Sequence, residues 1–230
     1  MAQVDAVIAL PIPKIVIAQW VADLLERRWG QTPVALVPNS VQTEIFFASP
    51  RGKRVSPAIG FAYRTMPNKG CDVIVSAIER ARRLIPDLRI VVFGFERPIR
   101  KIPLPPGAKF YFRVEDDKLR HLYGACDAWL FGTRIEGFGL PILEAMACRT
   151  PVIGTPAGAA PQLIGQGGGI LVGMEDVAAM SEAIVRISTM SESEWRVMSD
   201  AAYATAIAYT WDDATDRFEA ALMSIARQME

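Results

Sequence analysis

The chain has 230 residues, enough for one large α/β domain or two small ones, and 51% of it is apolar, so a substantial core can be buried. Twenty-five basic residues balance 25 acidic ones, which excludes the electrostatic footprint of a nucleic-acid binder or of a protein held broadly on an anionic membrane. Arginine and lysine are nevertheless plentiful between Arg51 and Arg120 and leave room for a local basic face.

In chain order, Val4–Leu10 (VDAVIAL) reads as a buried strand, Ile17–Trp29 as a helix, and Val34–Pro38 as the lead into the main domain. Ala58–Ala62 reads as a strand. Lys69–Leu84 comes after it as an amphipathic helix, with Val73, Ala77, Ile78 and Ala81 on one face. Leu88–Gly94, Lys109–Arg113, Cys126–Phe131, Pro151–Gly154 and Gly169–Val172 read as further strands, with Gly165–Gly169 as a turn. Asp116 or Asp117 is expected to cap a short helix ending at Tyr123, and a helix begins at Pro141. Helices are expected over Asp176–Thr189, Glu192–Tyr209 and Asp212–Arg227. Short β-branched runs alternating with helical patterns predict an α/β fold, a Rossmann-like doubly wound parallel sheet of about six strands. The N-terminal βα unit has no obvious place in that sheet.

The three cysteines, Cys71, Cys126 and Cys148, are odd in number and widely spaced. They fit neither a disulfide framework nor a metal-ligand spacing, and read as small buried residues in a reducing compartment. Met1–Leu10 lacks the basic start and cleavage site of a signal peptide, and the apolar runs are strand-sized. A cytoplasmic location is expected, with peripheral attachment at the inner face of the cell membrane an option for the full-length protein. His121, the single histidine, reads as a surface or structural residue, and Trp211 as a packing residue.

The chemistry concentrates in Leu130–Ala147, LFGTRIEGFGLPILEAMA. A buried strand ends at Phe131, and Gly132, Gly137 and Gly139 free the backbone of side-chain bulk. Pro141 suits the first turn of a helix, whose start presents unpaired N–H groups and a partial positive charge. These parts make an anion site at the carboxyl end of a parallel strand. The amides of Phe138, Gly139 and Leu140 are candidate diphosphate ligands. Glu136 and Glu144 flank the site, and carboxylates accept hydrogen bonds from the vicinal hydroxyls of a ribose or hexose. Standing alone, a Glu-x7-Glu pair arises about once by chance at 13 Glu in 230 residues, and glycines after a strand also serve a plain tight turn.

The context is more specific. EGFGLPILEAMA followed by PVIGT resembles the donor-binding core of retaining GT-B glycosyltransferases, in particular glycosyltransferase family 4 with its E-x7-E motif. VPNSVQTEIF, GFAYRTMPNKGCDVIVSAI, LRIVVFG, LRHLYGACDAWLF, GGGILV and YTWDDATDRF fall in that family's order, so the resemblance covers Val34 to Arg227. It implies that Glu136 holds donor-sugar hydroxyls and that Glu144 binds the ribose. Phe138, Gly139 and Leu140, with Gly137 in the same run, would take the diphosphate. Lys69 of the Lys69–Gly70 pair would neutralise the leaving group, Thr133 would lie at the mouth of the site, and Gly60 would let the backbone approach the nucleotide. The arginine that usually follows the glycine of the first strand is replaced by Phe61, and Arg64 stands in for it from a loop three residues longer. Arg149 stands where glycine is common, and Gln162 where Glu is common.

The resemblance implies a hexosyltransferase that needs no cofactor or metal, and no D-x-D triplet is present; Asp116–Asp117 and Asp212–Asp213 read as helix caps. The expected division is 1–33 as the last βα unit of an acceptor domain, 34–210 as the nucleotide-sugar domain, and 211–230 as a helix crossing back. The expected partners are a nucleotide sugar and, through a preceding domain, an acceptor glycan or glycolipid of polysaccharide or glycolipid assembly. A donor-binding subunit needing a separate acceptor-domain partner, or a non-catalytic module, is the alternative.

Overall fold

A computed structural model describes residues 2–228. By its internal contacts the chain divides into two units, Val41–Ala208 and the residues up to Ser40 together with those from Tyr209.

The larger unit is built on one six-stranded sheet. Its strands are β3 (Ala58–Tyr63), β4 (Arg89–Gly94), β5 (Lys109–Phe112), β6 (Ala128–Phe131), β7 (Val152–Gly154) and β8 (Gly169–Leu171); β1 and β2 belong to the smaller unit. The spatial order is β5-β4-β3-β6-β7-β8 and every pairing is parallel. This is the doubly wound α/β arrangement expected from the sequence, with its order reversing between β3 and β6. Parallel neighbours require crossovers. These are supplied by α3 (Cys71–Ala81), α4 (Asp116–Gly124), α5 (Leu140–Ala147) and the short α6 (Ala160–Ile164), with α7 (Val177–Thr189) and α8 (Glu192–Ile207) after the last strand. Helix α3 packs on α7, and α5 on α8 and α4.

The core follows from the apolar strand runs. Ile59, Phe61, Ile74, Ile78, Val92 and Leu130 are buried between the sheet and the α3–α7 layer. An aromatic cluster also forms, with the Tyr123 and Trp129 ring centroids 4.4 Å apart and those of Phe93 and Trp129 5.2 Å apart. Such pairs add to the area they bury. Helix α8 begins with a reciprocal capping box, Ser191 with Glu194, and Asp176 caps α7 by accepting from the Ala179 amide.

The smaller unit corrects the N-terminal reading. Val4–Leu10 is not a strand; Ala2–Ile8 forms helix α1. A seven-residue apolar run does not distinguish the two states by itself. Here tertiary contacts decide it, because Asp5 pairs with Arg28 at 2.8 Å and Ile8 packs against Val16, Ala22 and Leu25. The strand of this region is instead β1 (Ile15–Val16), which continues into α2 (Gln19–Trp29) and pairs in parallel with β2 (Ala35–Leu36). A βαβ unit therefore stands where a βα unit was expected. The last helix, α9 (Trp211–Gln228), contacts β2, and the Ser40 hydroxyl donates to the Thr210 carbonyl at 2.8 Å. Trp211 is about half exposed, contrary to the packing role expected of it. No helix among the described residues is long and apolar enough to cross a membrane.

Candidate donor site at the carboxyl end of the sheet

Open α/β sheets bind ligands beyond the carboxyl ends of their strands, where the strand order reverses. That point lies between β3 and β6, so the loops at 64–70 and 132–139 form the candidate site. Two glycines let these loops meet. Gly70 has φ +62°, and a Cβ on it would stand 1.8 Å from the Gly132 carbonyl oxygen. A Cβ on Gly132 would stand 2.7 Å from Ile74. The backbone completes the junction, because the Arg134 amide donates to the Asn68 carbonyl at 2.8 Å.

The junction brings Lys69 and Glu136 together. Lys69, at the end of the 3-10 turn Pro67–Lys69, donates from Nζ to Glu136 Oε2 at 2.7 Å. Glu136 Oε1 accepts from the Gly137 amide at 3.1 Å. Both side chains are partly exposed. Immediately beyond, Gly139 caps α5 at φ +105°, and a Cβ there would press on Ile142 and Phe131, each at 3.2 Å. Gly137, Phe138, Gly139 and Leu140 thus form the approach to the first turn of α5, as the sequence predicts. Within that turn Pro141 carries no N–H and the Ile142 amide donates back to the Gly139 carbonyl at 2.9 Å, so the donors left for a ligand are those at the very start of the helix. The loop after β7 braces this run from behind: the Ala159 amide donates to the Phe138 carbonyl at 2.8 Å, and Gly158 (φ +63°) leaves room for it.

Glu144 lies one turn into α5, largely buried, and accepts from the Tyr123 hydroxyl at 2.6 Å. Burial pushes its pKa above the ordinary carboxylate range; the Tyr123 bond pulls it down and the charge of Asp116 pushes it up. Tyr123 is itself fully buried, and burial, then the Glu144 charge, holds its hydroxyl far above its usual pKa.

Three expectations change. Gly60 does not reach the loop cluster. It lies within β3, in register with Trp129, and a Cβ on it would stand 2.4 Å from the Trp129 ring and 2.8 Å from the Cys126 sulfur. Its lack of a side chain makes room for an indole and a thiol. Thr133 is buried rather than at the mouth, and its carbonyl accepts from the Thr155 hydroxyl at 2.5 Å. The loop that carries Arg64 starts directly after β3, which runs unbroken to Tyr63, so Arg64 is the first residue beyond the strand. The Arg64 guanidinium lies 4.9 Å from the Phe95 ring centroid. The acidic caps also change, since Glu115 precedes α4 and Asp116 and Asp117 occupy its first turn without capping bonds. Likewise Asp212 and Asp213 lie in the first turn of α9. Acidic residues there complement the helix dipole.

Arg134, given no role on sequence grounds, ties this region together. Its guanidinium forms paired bonds to Asp72 (2.9 and 2.8 Å), reaches both oxygens of Glu175, and donates to the Pro67 carbonyl. It thereby links the loop after β6 to the turn carrying Lys69, to the start of α3 and to the loop after β8. Tyr123 is a second such residue, as the partner of Glu144. The three cysteines are buried and unpaired, as expected, and burial raises Cys126 and Cys148 to about 12.

Comparison with known proteins assigns the architecture to a family. The family described as "Glycosyl transferases group 1" matches residues 42–204. The chain belongs to that family. Among curated relatives, a D-inositol 3-phosphate glycosyltransferase of Stackebrandtia nassauensis is 29% identical over 175 residues, covering 69% of this chain and 39% of the relative. A GDP-mannose-dependent monoacylated alpha-(1-6)-phosphatidylinositol monomannoside mannosyltransferase of Corynebacterium glutamicum is 28% identical over 144 residues, covering 57% and 38%. The chain thus spans about two fifths of the length of these relatives. Among solved structures, a sucrose-phosphate synthase from Thermosynechococcus elongatus shares the fold with a TM-score of 0.76 at 22% identity, over 94% of this chain and 57% of that one. The C-terminal domain of a group 1 family glycosyl transferase from Francisella tularensis aligns with a TM-score of 0.60 at 24% identity, over 74% of this chain and 97% of that one. Within this group 1 chain, the matched segment contains the whole candidate site, from Arg64 through Glu144.

Proposed function

We propose that this chain is the donor-binding part of a glycosyltransferase that takes a nucleoside-diphosphate sugar. The observation that carries the reading is the Lys69–Glu136 contact at 2.7 Å, which joins a cation and a carboxylate from two loops beside the start of α5. On this reading the pair is exchanged when donor binds. Lys69 turns to the diphosphate, whose oxygens also meet amides of the Gly137–Leu140 run, and Glu136 turns to the sugar hydroxyls. Glu144 receives the ribose hydroxyls, its carboxylate oriented by Tyr123.

In the complete enzyme the bond between the anomeric carbon and the diphosphate oxygen breaks, a bond to the acceptor oxygen forms on the same face of the sugar, and the acceptor's hydroxyl proton passes to the departing diphosphate. Negative charge grows on the departing diphosphate. Lys69, Arg64 and the positive end of α5 stabilise it, in the manner of preorganised electrostatic catalysis. Lys69 beside the start of α5 favours chemistry without a metal, with Arg64 reaching the diphosphate from the end of β3. The resemblance of the E-x7-E segment to family 4 supports transfer with retention of anomeric configuration. The relatives' names support a hexosyl donor and a glycolipid or polysaccharide acceptor, bound by a domain outside this chain. Such acceptors fit a cytoplasmic protein that works at the inner face of the membrane.

The test is a calorimetric titration of the chain with UDP, GDP, TDP and ADP. One of them should bind saturably, Lys69→Ala should weaken that binding by about tenfold or more, and Glu144→Ala should abolish it with the fold intact by circular dichroism. No binding of any of the four would falsify the reading.

A further inference from the structure

At the opposite end of the sheet, where the strands begin, the larger unit holds a second constellation. A pocket of about 360 Å³ opens beside the end of α4 and the segment leading into β3. Its wall includes Phe47, Ser49, Arg51, Arg54, Arg120 and His121, and no carboxylate lines it. The sequence anticipates this in part, since it leaves room for a basic face between Arg51 and Arg120; the fold collects three of those arginines around one cavity.

Each guanidinium is oriented by the protein, and only Arg51 has a carboxylate, the buried Asp127 at 3.6 Å, within ion-pair distance among the described residues. Arg51 is the most deeply set. It donates to the carbonyls of Cys126 and Gly52 and lies 4.4 Å from the Trp195 ring centroid. Its Nε is buried with no acceptor. Arg54 donates from Nη2 to the Gly124 carbonyl at 2.7 Å, which covers the exposed end of α4 and leaves its other N–H groups available. Arg120 lies 4.3 Å from the Phe47 ring centroid and donates from Nε to His121 Nε2 at 3.4 Å. Arg54 and Arg120 have no carboxylate partner among the described residues. The nearby Asp127 carboxylate is buried and committed to the Arg54 and Ala58 amides, each at 2.9 Å, with Arg51 at 3.6 Å.

Clustered like charges against low-dielectric walls build a positive potential that raises the local concentration of anions. Guanidinium forks match oxyanions in geometry, and two forks from different elements suit a tetrahedral group with several oxygens better than a single planar carboxylate. The half-exposed Phe47 ring and the Ser49 hydroxyl add an apolar wall and a neutral donor. We propose that this pocket is a binding site for a phosphate group, borne by a small soluble phosphoryl compound or by a lipid headgroup, separate from the loops that would take a nucleotide sugar.

The chain is titrated by calorimetry with inorganic phosphate, glycerol 3-phosphate and acetate, at low and high salt. Arg54→Gln, Arg120→Gln and the double variant are measured alongside, with Lys69→Ala as the control for the other end of the sheet. The expected result is saturable phosphate binding that exceeds acetate binding and weakens with salt. It should fall by about tenfold in Arg120→Gln and further in the double variant, and the component lost in those variants should persist in Lys69→Ala. Nucleoside-diphosphate binding should survive in both glutamine variants, so failure here and failure of the donor reading are distinguishable. Sedimentation with phosphatidylcholine vesicles, with and without phosphatidic acid, forms the second arm. Arg120-dependent binding to the acidic vesicles, with none of soluble phosphates, identifies the ligand as a headgroup. Absence of binding in both arms, or binding lost in Lys69→Ala and kept in Arg120→Gln, overturns the proposal. Unfolding midpoints are recorded for each variant, and Arg120→Gln, at a partly exposed helix position, decides the outcome if the double variant unfolds early.

Discussion

The two ends of one sheet treat charge differently. Beyond the carboxyl ends of the strands, Lys69 is met by Glu136 and Arg134 by Asp72 and Glu175. Where the strands begin, Arg54 and Arg120 are fixed by a helix-end carbonyl and an aromatic ring, with no acid opposite them. Paired charges hold loops in place while no ligand is present, and they can be traded for a ligand that brings the same charge. Arg54 and Arg120 brace a helix end and an aromatic ring, yet their charge stays without an acid and is open to an anion that arrives from solution. Substitutions at three residues sharpen this contrast at the carboxyl end, ordered by expected effect.

The largest concerns the glycine that allows the loops to join. Alanine at position 70 must hold φ near +62° and place its Cβ 1.8 Å from the Gly132 carbonyl oxygen. The backbone there has to separate, so Gly70→Ala should cost about 3 kcal/mol or more in urea denaturation and abolish nucleotide binding. A variant of undiminished stability would mean that the two loops are not interlocked.

Arg134→Ala comes next. Its two acidic partners are half exposed, so solvent screens much of the attraction and stability should fall by only about 1 kcal/mol. Nucleoside-diphosphate affinity should fall more, by about tenfold, because the turn bearing Lys69 loses its tether to the loop bearing Glu136. Arg134→Lys should not restore it, since one ammonium cannot span two carboxylates and the Pro67 carbonyl. Equal losses of stability and affinity in the two variants, or full rescue by lysine, would reduce Arg134 to a surface ion pair.

These effects bear on what the sequence could reveal. The sheet was legible because β3, β4, β6 and β7 are short apolar runs bounded by turn residues, and the start of α5 because a strand, glycines and a proline stand in order. Helix α1 was not, because its apolar run is too short for periodicity and its contacts, Asp5 with Arg28 and Ile8 with the Val16, Ala22 and Leu25 cluster, reach residues outside that run. Helix α6, five residues long, has no periodic window at all. Gly60 is ambiguous in the sequence because a glycine that accommodates a distant indole looks identical there to one that accommodates a ligand. The Lys69–Glu136 pairing was legible in its members through resemblance. The Arg134 cluster was not, because its acids lie 62 and 41 residues away and nothing local marks them.

The smallest expected effect has an informative sign. Burial raises the Glu144 pKa, so the folded state holds that proton more tightly than the unfolded chain does. Ionising Glu144 therefore costs stability as pH rises from the unfolded carboxylate value through the raised folded one. Glu144→Gln is neutral at every pH and keeps an oxygen for the Tyr123 hydroxyl. It should be more stable than the parent by about 1 kcal/mol or less above that window, and equal to it below. Asp127 at the other end supplies the opposite case. Its oxygens receive two backbone amides as well as Arg51, and an asparagine cannot satisfy all three. Asp127→Asn should therefore destabilise, by about 2 kcal/mol. A carboxylate whose removal stabilises the fold but abolishes nucleotide binding is held for its ligand; one whose removal destabilises is held for the fold. Thermal melts of the two variants from acid to neutral pH separate these roles, and a Glu144→Gln melt below the parent's at neutral pH would assign Glu144 to the fold as well.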